Sequence, residues 1–361
     1  MQSFEPVKWD KSESRKDLEG LNENGNSART YHVGAQNVLP KFFCPFPLGP
    51  IETFLLIQSK KKKKKNNIPF GTNSSVVRRW KNAETATDSS KMNRLQGKVV
   101  IVTGGASGIG EATARLFAAH GARMVVIADV QETGPEVAAS VGTGNCTYVH
   151  CDVTEEPQVE SLVRSTVDLW GRLDVMFSNV GVVSGCDQTV LDLDLGQFDR
   201  VMAINVRGMA ACIKHAARAM AEGGVRGSIV CTSSVTGRSG GVRNTDYHVS
   251  KHALGGLVRS ASVQLGAHGI RVNSVSPYAV ATPGLCRMLG TEAEEAERAY
   301  EQYVCLKGGE PMKARHVAEA VLFLASDEAA FVTGHDLVVD GGFLHQPFRS
   351  SQRWPSPGSS Q

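Results

Sequence analysis

The chain has 361 residues and a formal net charge of +3, which is unevenly distributed along its length. Residues 1–91 hold 16 Lys/Arg and 9 Asp/Glu, whereas residues 92–361 hold 23 Lys/Arg and 27 Asp/Glu. The length is sufficient for one large α/β domain. Residues 92–361 are mildly acidic, so they lack the basic surface that is typical of a nucleic-acid-binding domain.

Residues 1–91 are polar, are interrupted by Pro, Gly and Asn, and show no sustained periodicity. We predict that they form a disordered basic leader. The six consecutive lysines at 60–65 are typical either of a solvated charge run or of a nuclear-localisation or nucleic-acid patch. Because Met92 directly precedes the ordered pattern, a further interpretation is that the leader is an extended translation product and that Met92 is the natural start.

No apolar run approaches the ~20 residues that a bilayer-spanning helix requires, and the N-terminus lacks the layout of a signal peptide. The eight cysteines include no C-x-x-C pair and no zinc-like spacing with histidine. We therefore expect a cytoplasmic protein with reduced thiols, no metal site and no membrane partner.

From Lys98 onward, short apolar runs rich in Val and Ile alternate with longer amphipathic stretches. The candidate strands are Val99–Val102, Met124–Ala128, Thr147–His150, Val175–Phe177, Ser228–Thr232, Arg271–Val275 and Asp336–Val339. The candidate helices lie near 109–120, 155–170, 197–222, 247–268, 291–303 and 314–326. Continuous apolar strands are typical of a parallel sheet that is buried on both faces. The pattern predicts an α/β fold: one doubly wound (Rossmann) domain over 92–345 with a seven-stranded parallel sheet, followed by a disordered tail, 346–361.

Two helix starts have recognisable signals. Thr154 is followed by Pro157, which is tolerated in a first helical turn. Thr291 and Glu294 have the spacing of a capping box.

A glycine-rich turn, from Thr103 to Gly110, follows the first candidate strand and opens the first candidate helix. Gly104 would permit the tight turn, Gly108 would let the backbone approach a phosphate, and Gly110 would let helix and strand pack closely. The free N–H groups and the positive end of the helix dipole would then face a pyrophosphate. This context predicts a dinucleotide-binding loop.

Asp129 ends the second candidate strand, 19 residues after Gly110. A carboxylate at this position can accept hydrogen bonds from both hydroxyls of an adenosine ribose, and it would repel a 2′-phosphate. The next residue is Val130 rather than a Lys or Arg that would bind that phosphate. The sequence therefore favours NAD over NADP as the cofactor.

Tyr247 and Lys251 are four residues apart, so on a helix they share one face. A free tyrosine has a pKa of about 10, and a nearby ammonium would lower it by stabilising the phenolate. Tyr247 could then accept the proton of an alcohol, while Ser234, at the end of the fifth candidate strand, binds the same oxygen. Placement at strand ends matters here, because open α/β sheets bind their ligands there.

Together these motifs resemble the short-chain dehydrogenase/reductase family from residue 94 to about 345. The turn at 103–110 is similar to that family's Thr-Gly-x-x-x-Gly-x-Gly, and Asp152-Val153 is similar to its adenine-side Asp-Val. Asn205 stands in a segment similar to the one that holds its catalytic asparagine. The segments 332–334 and 340–342 are similar to its C-terminal strand region.

The resemblance implies roles for residues of this chain. Tyr247 would be the acid/base, Ser234 would orient the substrate oxygen, and Lys251 would bind the nicotinamide ribose and lower the tyrosine pKa. Asn205 would hold a water in a proton relay, and Thr282 would contact the nicotinamide carboxamide. The cofactor-binding residues that it implies are Gly104, Ser107, Gly108, Ile109, Gly110, Asp129, Asp152, Val153, Asn179, Gly181, Tyr247, Lys251, Pro277 and Thr282.

The chain departs from the family pattern at two places. It has Ser178-Asn179-Val180-Gly181 where the family usually has Asn-Asn-Ala-Gly, so Val180 adds bulk beside the cofactor. It has Pro277-Tyr278 where Pro-Gly is common. The second variant resembles the plant branch that oxidises terpenoid, lignan and related alcohols, the branch of xanthoxin, isopiperitenol and secoisolariciresinol dehydrogenases and momilactone A synthase.

The resulting expectation is an NAD-dependent dehydrogenase that oxidises a secondary alcohol on a hydrophobic cyclic substrate (terpenoid, lignan or steroid-like) to a ketone. The residues expected to line the substrate are mostly apolar: Val182, Val183, Tyr278, Leu285, Met288 and Leu289. Two alternatives remain open, an NADPH-dependent carbonyl reductase and a non-catalytic dinucleotide-binding regulator. The resemblance also implies a homotetramer or homodimer formed through helices 197–222 and 247–268, with small residues such as Ala210, Ala211, Ala216 and Ala217 permitting close contact.

Overall fold

The computed structural model of the chain describes residues 93–345. Its seven strands form one parallel sheet in the order β3-β2-β1-β4-β5-β6-β7. The strands are β1 (Val99–Thr103), β2 (Met124–Asp129), β3 (Cys146–His150), β4 (Val175–Ser178), β5 (Ser228–Thr232), β6 (Arg271–Pro277) and β7 (Asp336–Val339). The predicted doubly wound fold and its seven-stranded parallel sheet are confirmed.

Nine α-helices connect or flank these strands in the described residues. They are α1 (Gly108–Ala119), α2 (Gly134–Val141), α3 (Glu156–Trp170), α4 (Leu195–Met202), α5 (Met209–Glu222), α6 (Thr245–Leu265), α7 (Pro283–Leu289), α8 (Ala293–Glu301) and α9 (Ala314–Ala325).

Successive side chains of each strand enter two different cores, because the helices cover both faces of the sheet. On one face, Val100 and Val102 of β1 belong to a buried cluster that includes Phe117 of α1. On the other face, Ile101 belongs to a cluster that includes Leu162 of α3 and Leu254 of α6. This double coverage explains why the strands are continuously apolar.

The structure corrects the prediction of one long helix over 197–222. A helix begins at Leu195, where the Asp194 carboxylate accepts hydrogen bonds from two first-turn N–H groups. The α-helical geometry is then interrupted by a π-helical turn, Ala203–Gly208, before α5 begins. Such turns are rare, and a periodicity of 3.6 residues does not reveal them.

Other differences concern short helices and helix starts. The helices α2 and α7 were not among the predicted elements. At α3, the capping position is Glu155 rather than Thr154, whose hydroxyl instead donates to Asp152. The capping box expected at Thr291 does not form, because α8 begins at Ala293 and the buried Thr291 hydroxyl has no hydrogen-bond partner among the described residues.

The predicted leader, 1–91, with its alternative start at Met92, and the predicted tail, 346–361, lie outside the described residues. Across residues 93–345, no helix combines the length and apolarity that crossing a membrane demands. The same part of the chain holds no cluster of three or more metal-ligating side chains. Its seven cysteines are free thiols, and four of them are buried.

Candidate active site

The predicted site residues gather at the carboxyl ends of the central strands, and Asn179 connects three of those ends. Its backbone N–H donates to the Thr103 hydroxyl at the end of β1 (3.0 Å), and its side-chain amide donates to the Gly104 carbonyl (3.2 Å). Its side-chain oxygen accepts a hydrogen bond from Thr232 at the end of β5 (2.9 Å). The order of strands reverses between β1 and β4, which is where doubly wound sheets bind ligands.

The glycine-rich turn has the geometry of a phosphate-binding loop. Gly104 and Gly108 have φ angles of 65° and 58°, which residues with a side chain rarely adopt. A Cβ at Gly110 would overlap the carbonyl oxygen of Gly104, so only glycine fits between helix and loop. The Ser107 side chain does not cap α1, so it leaves the first-turn N–H groups of that helix without a side-chain acceptor. These features fit the pyrophosphate of a dinucleotide.

The carboxylate of Asp129, the last residue of β2, is 5% exposed and faces this loop. Its Oδ2 accepts a hydrogen bond from the Ala106 N–H (3.0 Å). Its Oδ1 accepts from the N–H groups of Val130 (2.8 Å) and Gln131 (3.1 Å). Asp129 therefore fixes the position of the glycine loop as well as presenting a carboxylate at the edge where a ribose would bind.

The adenine-side pair, Asp152 and Val153, follows β3 and lies beside Asp129, because the N–H of Cys151 donates to the Asp129 carbonyl (3.0 Å). The Asp152 carboxylate accepts hydrogen bonds from both the N–H and the hydroxyl of Thr154. Val153 is buried, and a Cβ at Gly208 would meet its side chain at 2.7 Å. The pair thus lies at the edge of the site, where Val153 packs against the π-helical turn.

Helix α6 carries Tyr247 and Lys251 on one face. The Lys251 Nζ lies 5.4 Å from the centroid of the Tyr247 ring and donates a hydrogen bond to the Thr232 carbonyl (2.9 Å). Lys251 is 2% exposed, and this burial lowers the pKa of its ammonium to about 8. The ammonium nevertheless remains predominantly charged at neutral pH.

Ser234 reaches Tyr247 from the loop after β5. Burial raises the pKa of the Tyr247 hydroxyl, and a hydrogen bond with Ser234 acts in the opposite direction. Ser234 is itself buried, and its hydroxyl oxygen accepts a hydrogen bond from the Thr236 N–H (3.2 Å), which fixes the 3₁₀ turn after β5. The structure therefore brings Ser234, Tyr247 and Lys251 together as the sequence predicts.

Asn205 lies in the middle of the π-helical turn and is completely buried. Its Oδ1 accepts from the Val182 N–H (2.8 Å), and its Nδ2 donates to the Val182 carbonyl (2.9 Å) and the Ser250 hydroxyl (3.0 Å). The carboxamide therefore connects the π-helical turn to the loop after β4 and to α6. A role for Asn205 in a water relay stays a prediction.

Gly181 lies where these groups converge. A Cβ at this position would be 3.2 Å from the Lys251 Nζ and 3.6 Å from the Asn205 Oδ1. The neighbouring Val180, one of the departures from the family pattern, contacts the position of a Gly104 Cβ at 3.3 Å and packs against the core. Ser178, the other departure, is buried at the end of β4.

Pro277 and Thr282 close the site on the β6 side. Thr282 lies directly against the glycine loop, since a Cβ at Gly108 would meet its methyl group at 2.9 Å. Its hydroxyl oxygen accepts the Leu285 N–H (3.3 Å) and so caps α7. Ile109, in the first turn of α1, packs into the core beneath the loop.

An apolar cluster lies beyond Ser234. Tyr278 stacks on Phe343 with ring centroids 4.2 Å apart and meets the Tyr300 ring edge-on at 5.8 Å. Leu285 and Leu289 pack against the same cluster, as does Val235, the residue after Ser234. Of these, Val235, Tyr300 and Phe343 were not anticipated, because they come from segments that only the fold brings near Tyr278.

Sequence reasoning also missed three polar residues at the site. Thr232 provides the acceptor for Lys251 and a donor for Asn179. Ser250 holds Asn205, and the Gln131 side chain contacts Asp129. Their only sequence signal is proximity to a strand end or to Tyr247, which many residues share.

Comparison with known proteins places the chain among enzymes. A family model described as enoyl-(acyl carrier protein) reductase matches residues 104–344. The chain is 60% identical over 260 residues to "(-)-isopiperitenol/(-)-carveol dehydrogenase, mitochondrial" from Mentha piperita, covering 72% of this chain and 98% of that protein. It is 56% identical to a (+)-cis,trans-nepetalactol synthase from Nepeta racemosa, covering 74% and 98%.

Two further matches carry the family name itself. The chain is 54% identical to short-chain dehydrogenase reductase 3b of Arabidopsis thaliana, over 69% of this chain and 96% of that protein. A crystal structure of a short-chain type dehydrogenase/reductase from Mycobacterium marinum superimposes with a TM-score of 0.64 at 31% identity. It covers 70% of this chain and 97% of its own.

Proposed function

The chain belongs to the short-chain dehydrogenase/reductase family, and from this premise we propose that it is an NAD-dependent dehydrogenase. Members of this family are oxidoreductases that bind a nicotinamide dinucleotide, and the similar plant proteins named above act on terpenoids. The proposed substrate is a secondary alcohol on a hydrophobic cyclic scaffold of terpenoid, lignan or steroid-like type, and the product is the ketone.

The observation that carries this proposal is the convergence of Ser234, Tyr247 and Lys251 beside the glycine loop. When bound, the nicotinamide ring supplies the acceptor for the hydrogen and electron pair of the carbinol carbon. The oxygen of Tyr247 takes the hydroxyl proton, while Ser234 donates a hydrogen bond that orients the same substrate oxygen. Lys251 stabilises the Tyr247 phenolate through its positive charge.

The preference for NAD over NADP rests on Asp129. Its carboxylate is held in place by three backbone N–H groups and lies at the end of β2. The ribose 2′-hydroxyl can donate to the acceptor capacity that remains on such a group, whereas a 2′-phosphate would be repelled by it. Val130, which follows, is an exposed apolar residue and offers no compensating positive charge.

The hydrophobic character of the proposed substrate rests on the apolar cluster around Tyr278. This cluster begins at Val235, directly after Ser234, and continues into α7 and α8 through Leu285, Leu289 and Tyr300. A cyclic terpenoid could bury its carbon skeleton against such side chains, while its single polar group meets Ser234 and Tyr247.

We also propose that the protein forms a homotetramer, with a homodimer as the alternative. A groove between α5 and α6 is lined by apolar residues that include Ala210, Ala217, Leu257, Ala261 and Leu265, and also by Lys214, Arg218, Ser260 and Gln264. Ala211 and Ala216 are buried in the intramolecular core, to which the groove residues Ala217 and Ala261 also belong. Val263, on a different side of α6, and Phe331 are highly exposed apolar residues. Two separate apolar surfaces favour two different isologous interfaces, as in a tetramer with D₂ symmetry.

The proposal is tested first by thermal melting of the full-length protein with NADH, with NADPH and with neither. A ligand at 100 times its Kd adds about 2.7 kcal/mol to the free energy of unfolding, so NADH is expected to raise the melting temperature clearly more than NADPH does. A larger shift with NADPH would favour the carbonyl reductase. No shift with either cofactor would favour a non-catalytic protein.

The second test is turnover with cyclic secondary alcohols such as isopiperitenol or carveol, followed by NADH absorbance. Because some similar proteins are named as nepetalactol synthases, formation of nepetalactol is assayed in parallel. NADH formation from a cyclic alcohol supports the proposed dehydrogenase activity. Nepetalactol formation without net NADH would instead mean that the protein is a cyclase rather than a dehydrogenase.

A further inference from the structure

The side chain of Gln131 contacts the carboxylate that a cofactor ribose would need. Its Nε2 lies 3.3 Å from both carboxylate oxygens of Asp129 and 3.1 Å from the Ser107 hydroxyl oxygen. A carboxamide NH₂ carries two N–H donors on one nitrogen, so it can hydrogen-bond to this carboxylate. It therefore occupies acceptor sites to which the hydroxyls of a ribose would otherwise donate.

The backbone around Gln131 is fixed independently of its side chain. The Tyr148 hydroxyl donates to the Asp129 carbonyl (2.8 Å) and to the Gln131 carbonyl (3.2 Å). Gly134 lies so close to the Tyr148 ring that a Cβ would overlap it. Among the described donors to the Asp129 carboxylate, the Gln131 side chain is thus the one that can leave without moving the main chain.

The acceptor capacity of Asp129 is limited. A carboxylate has about four lone-pair sites, and three of them already receive the N–H groups of Ala106, Val130 and Gln131. Those donors belong to the glycine loop and to the turn after β2. Ribose hydroxyls and the Gln131 amide must therefore compete for the capacity that remains.

We propose that Gln131 is an affinity-determining residue of the cofactor site, whose carboxamide occupies the ribose-binding face of Asp129 and is displaced by the ribose hydroxyls. The proposal rests on the dinucleotide binding proposed above. Gln131 is half-buried, so its side chain has a path into solvent. The hydrogen bonds that it loses on displacement reduce the net affinity for the cofactor.

The test compares NADH dissociation constants, measured by fluorescence titration, for the full-length protein and three variants. In Gln131→Ala the competing donors are gone. In Gln131→Met a side chain of similar length remains but cannot donate. The control is Thr133→Ala, because Thr133 is exposed in the same turn and its hydroxyl does not cap α2.

Both Gln131 variants are expected to bind NADH roughly three- to tenfold more tightly than the wild type, which is the effect of removing one or two competing hydrogen bonds. The control should bind as the wild type does. Unchanged or weaker binding in Gln131→Ala overturns the proposal, since Gln131 would then be neutral or would itself hold the ribose. Tighter binding in Gln131→Ala alone also overturns it, because the effect would be steric. If the wild type binds no NADH, the proposed function fails first.

Discussion

The Nζ of Lys251 lies 5.4 Å from the centroid of the Tyr247 ring, one turn further along helix α6. The helix brings the two side chains to one face, because residues i and i+4 are neighbours there, and the hydrogen bond from the Lys251 Nζ to the Thr232 carbonyl holds the ammonium in place. The helix does not fix the environment of the pair. Burial lowers the pKa of Lys251 and raises that of Tyr247, because each charged form is less well solvated in the protein interior than in water.

The first prediction concerns the proposed proton acceptor. Tyr247→Phe removes the hydroxyl and retains the ring, so turnover should fall by about 10²-fold or more. NADH affinity should change little, because the glycine loop and Asp129 are untouched. Steady-state kinetics and a fluorescence titration measure the two quantities. Substantial turnover in the variant would mean that another group accepts the proton.

The second prediction concerns pH and stability. The pKa of Lys251 is about 8 in the folded protein, below the value of about 10.4 expected in an unfolded chain. Between these values the unfolded state binds more protons, so the free energy of unfolding should rise with pH. Below pH 8 both states are protonated, and the cost of burying the charge is fully present.

Lys251→Met removes this titration and serves as the reference. Relative to that variant, the wild type should gain up to about 3 kcal/mol in the free energy of unfolding from pH 7.5 to 10.5, at about 1.36 kcal/mol per unit of pKa shift. Urea denaturation at several pH values gives the two curves. Parallel curves would show that Lys251 is not buried as a cation.

The third prediction concerns the glycine loop. Gly110→Ala places a Cβ against the Gly104 carbonyl, so helix and loop must separate. We expect a loss of stability of about 1–3 kcal/mol and a loss of NADH binding. Gly144→Ala is the matched control, since a Cβ there meets no atom within 4 Å. Thermal melting with and without NADH distinguishes the two variants. Equal melting temperatures and equal shifts with NADH would show that α1 does not pack closely against the glycine loop.

The fourth prediction concerns assembly. Ala210→Asp places a charge in the groove between α5 and α6, and desolvating it at an interface would be costly. The particle mass from light scattering should therefore fall from that of a tetramer to that of a dimer. Ala139→Asp, an exposed position on α2, should leave the mass unchanged.

Phe331→Ser tests the other exposed apolar surface in the same way. Alone it should also give a smaller assembly, and combined with Ala210→Asp it should give a monomer. A mass that neither substitution alters would mean that the subunits associate elsewhere or do not associate.

The strands were predictable because Val and Ile runs such as Val99–Val102 are both intrinsically favourable for strands and long enough to be buried. The prediction of the helices failed at two places, where the local sequence pattern does not specify the structure. The stretch 197–222 was predicted as one helix, but a π-helical turn at Asn205 interrupts it, and an apolar periodicity of 3.6 residues does not mark such a turn. The short helix α7 depends on its cap, Thr282, and on packing against the Tyr278 cluster.

The sequence by itself determined the parallel α/β architecture, the glycine loop and the predicted group of Ser234, Tyr247 and Lys251, because periodicity and spacing along one chain encode them. The tertiary structure alone decided what surrounds these residues. The bonds of Asn205 to Val182 and Ser250, and the apolar cluster at Tyr278, join positions that are distant in the chain. Such contacts form only when whole helices and strands pack closely against one another, and no local sequence pattern specifies that packing.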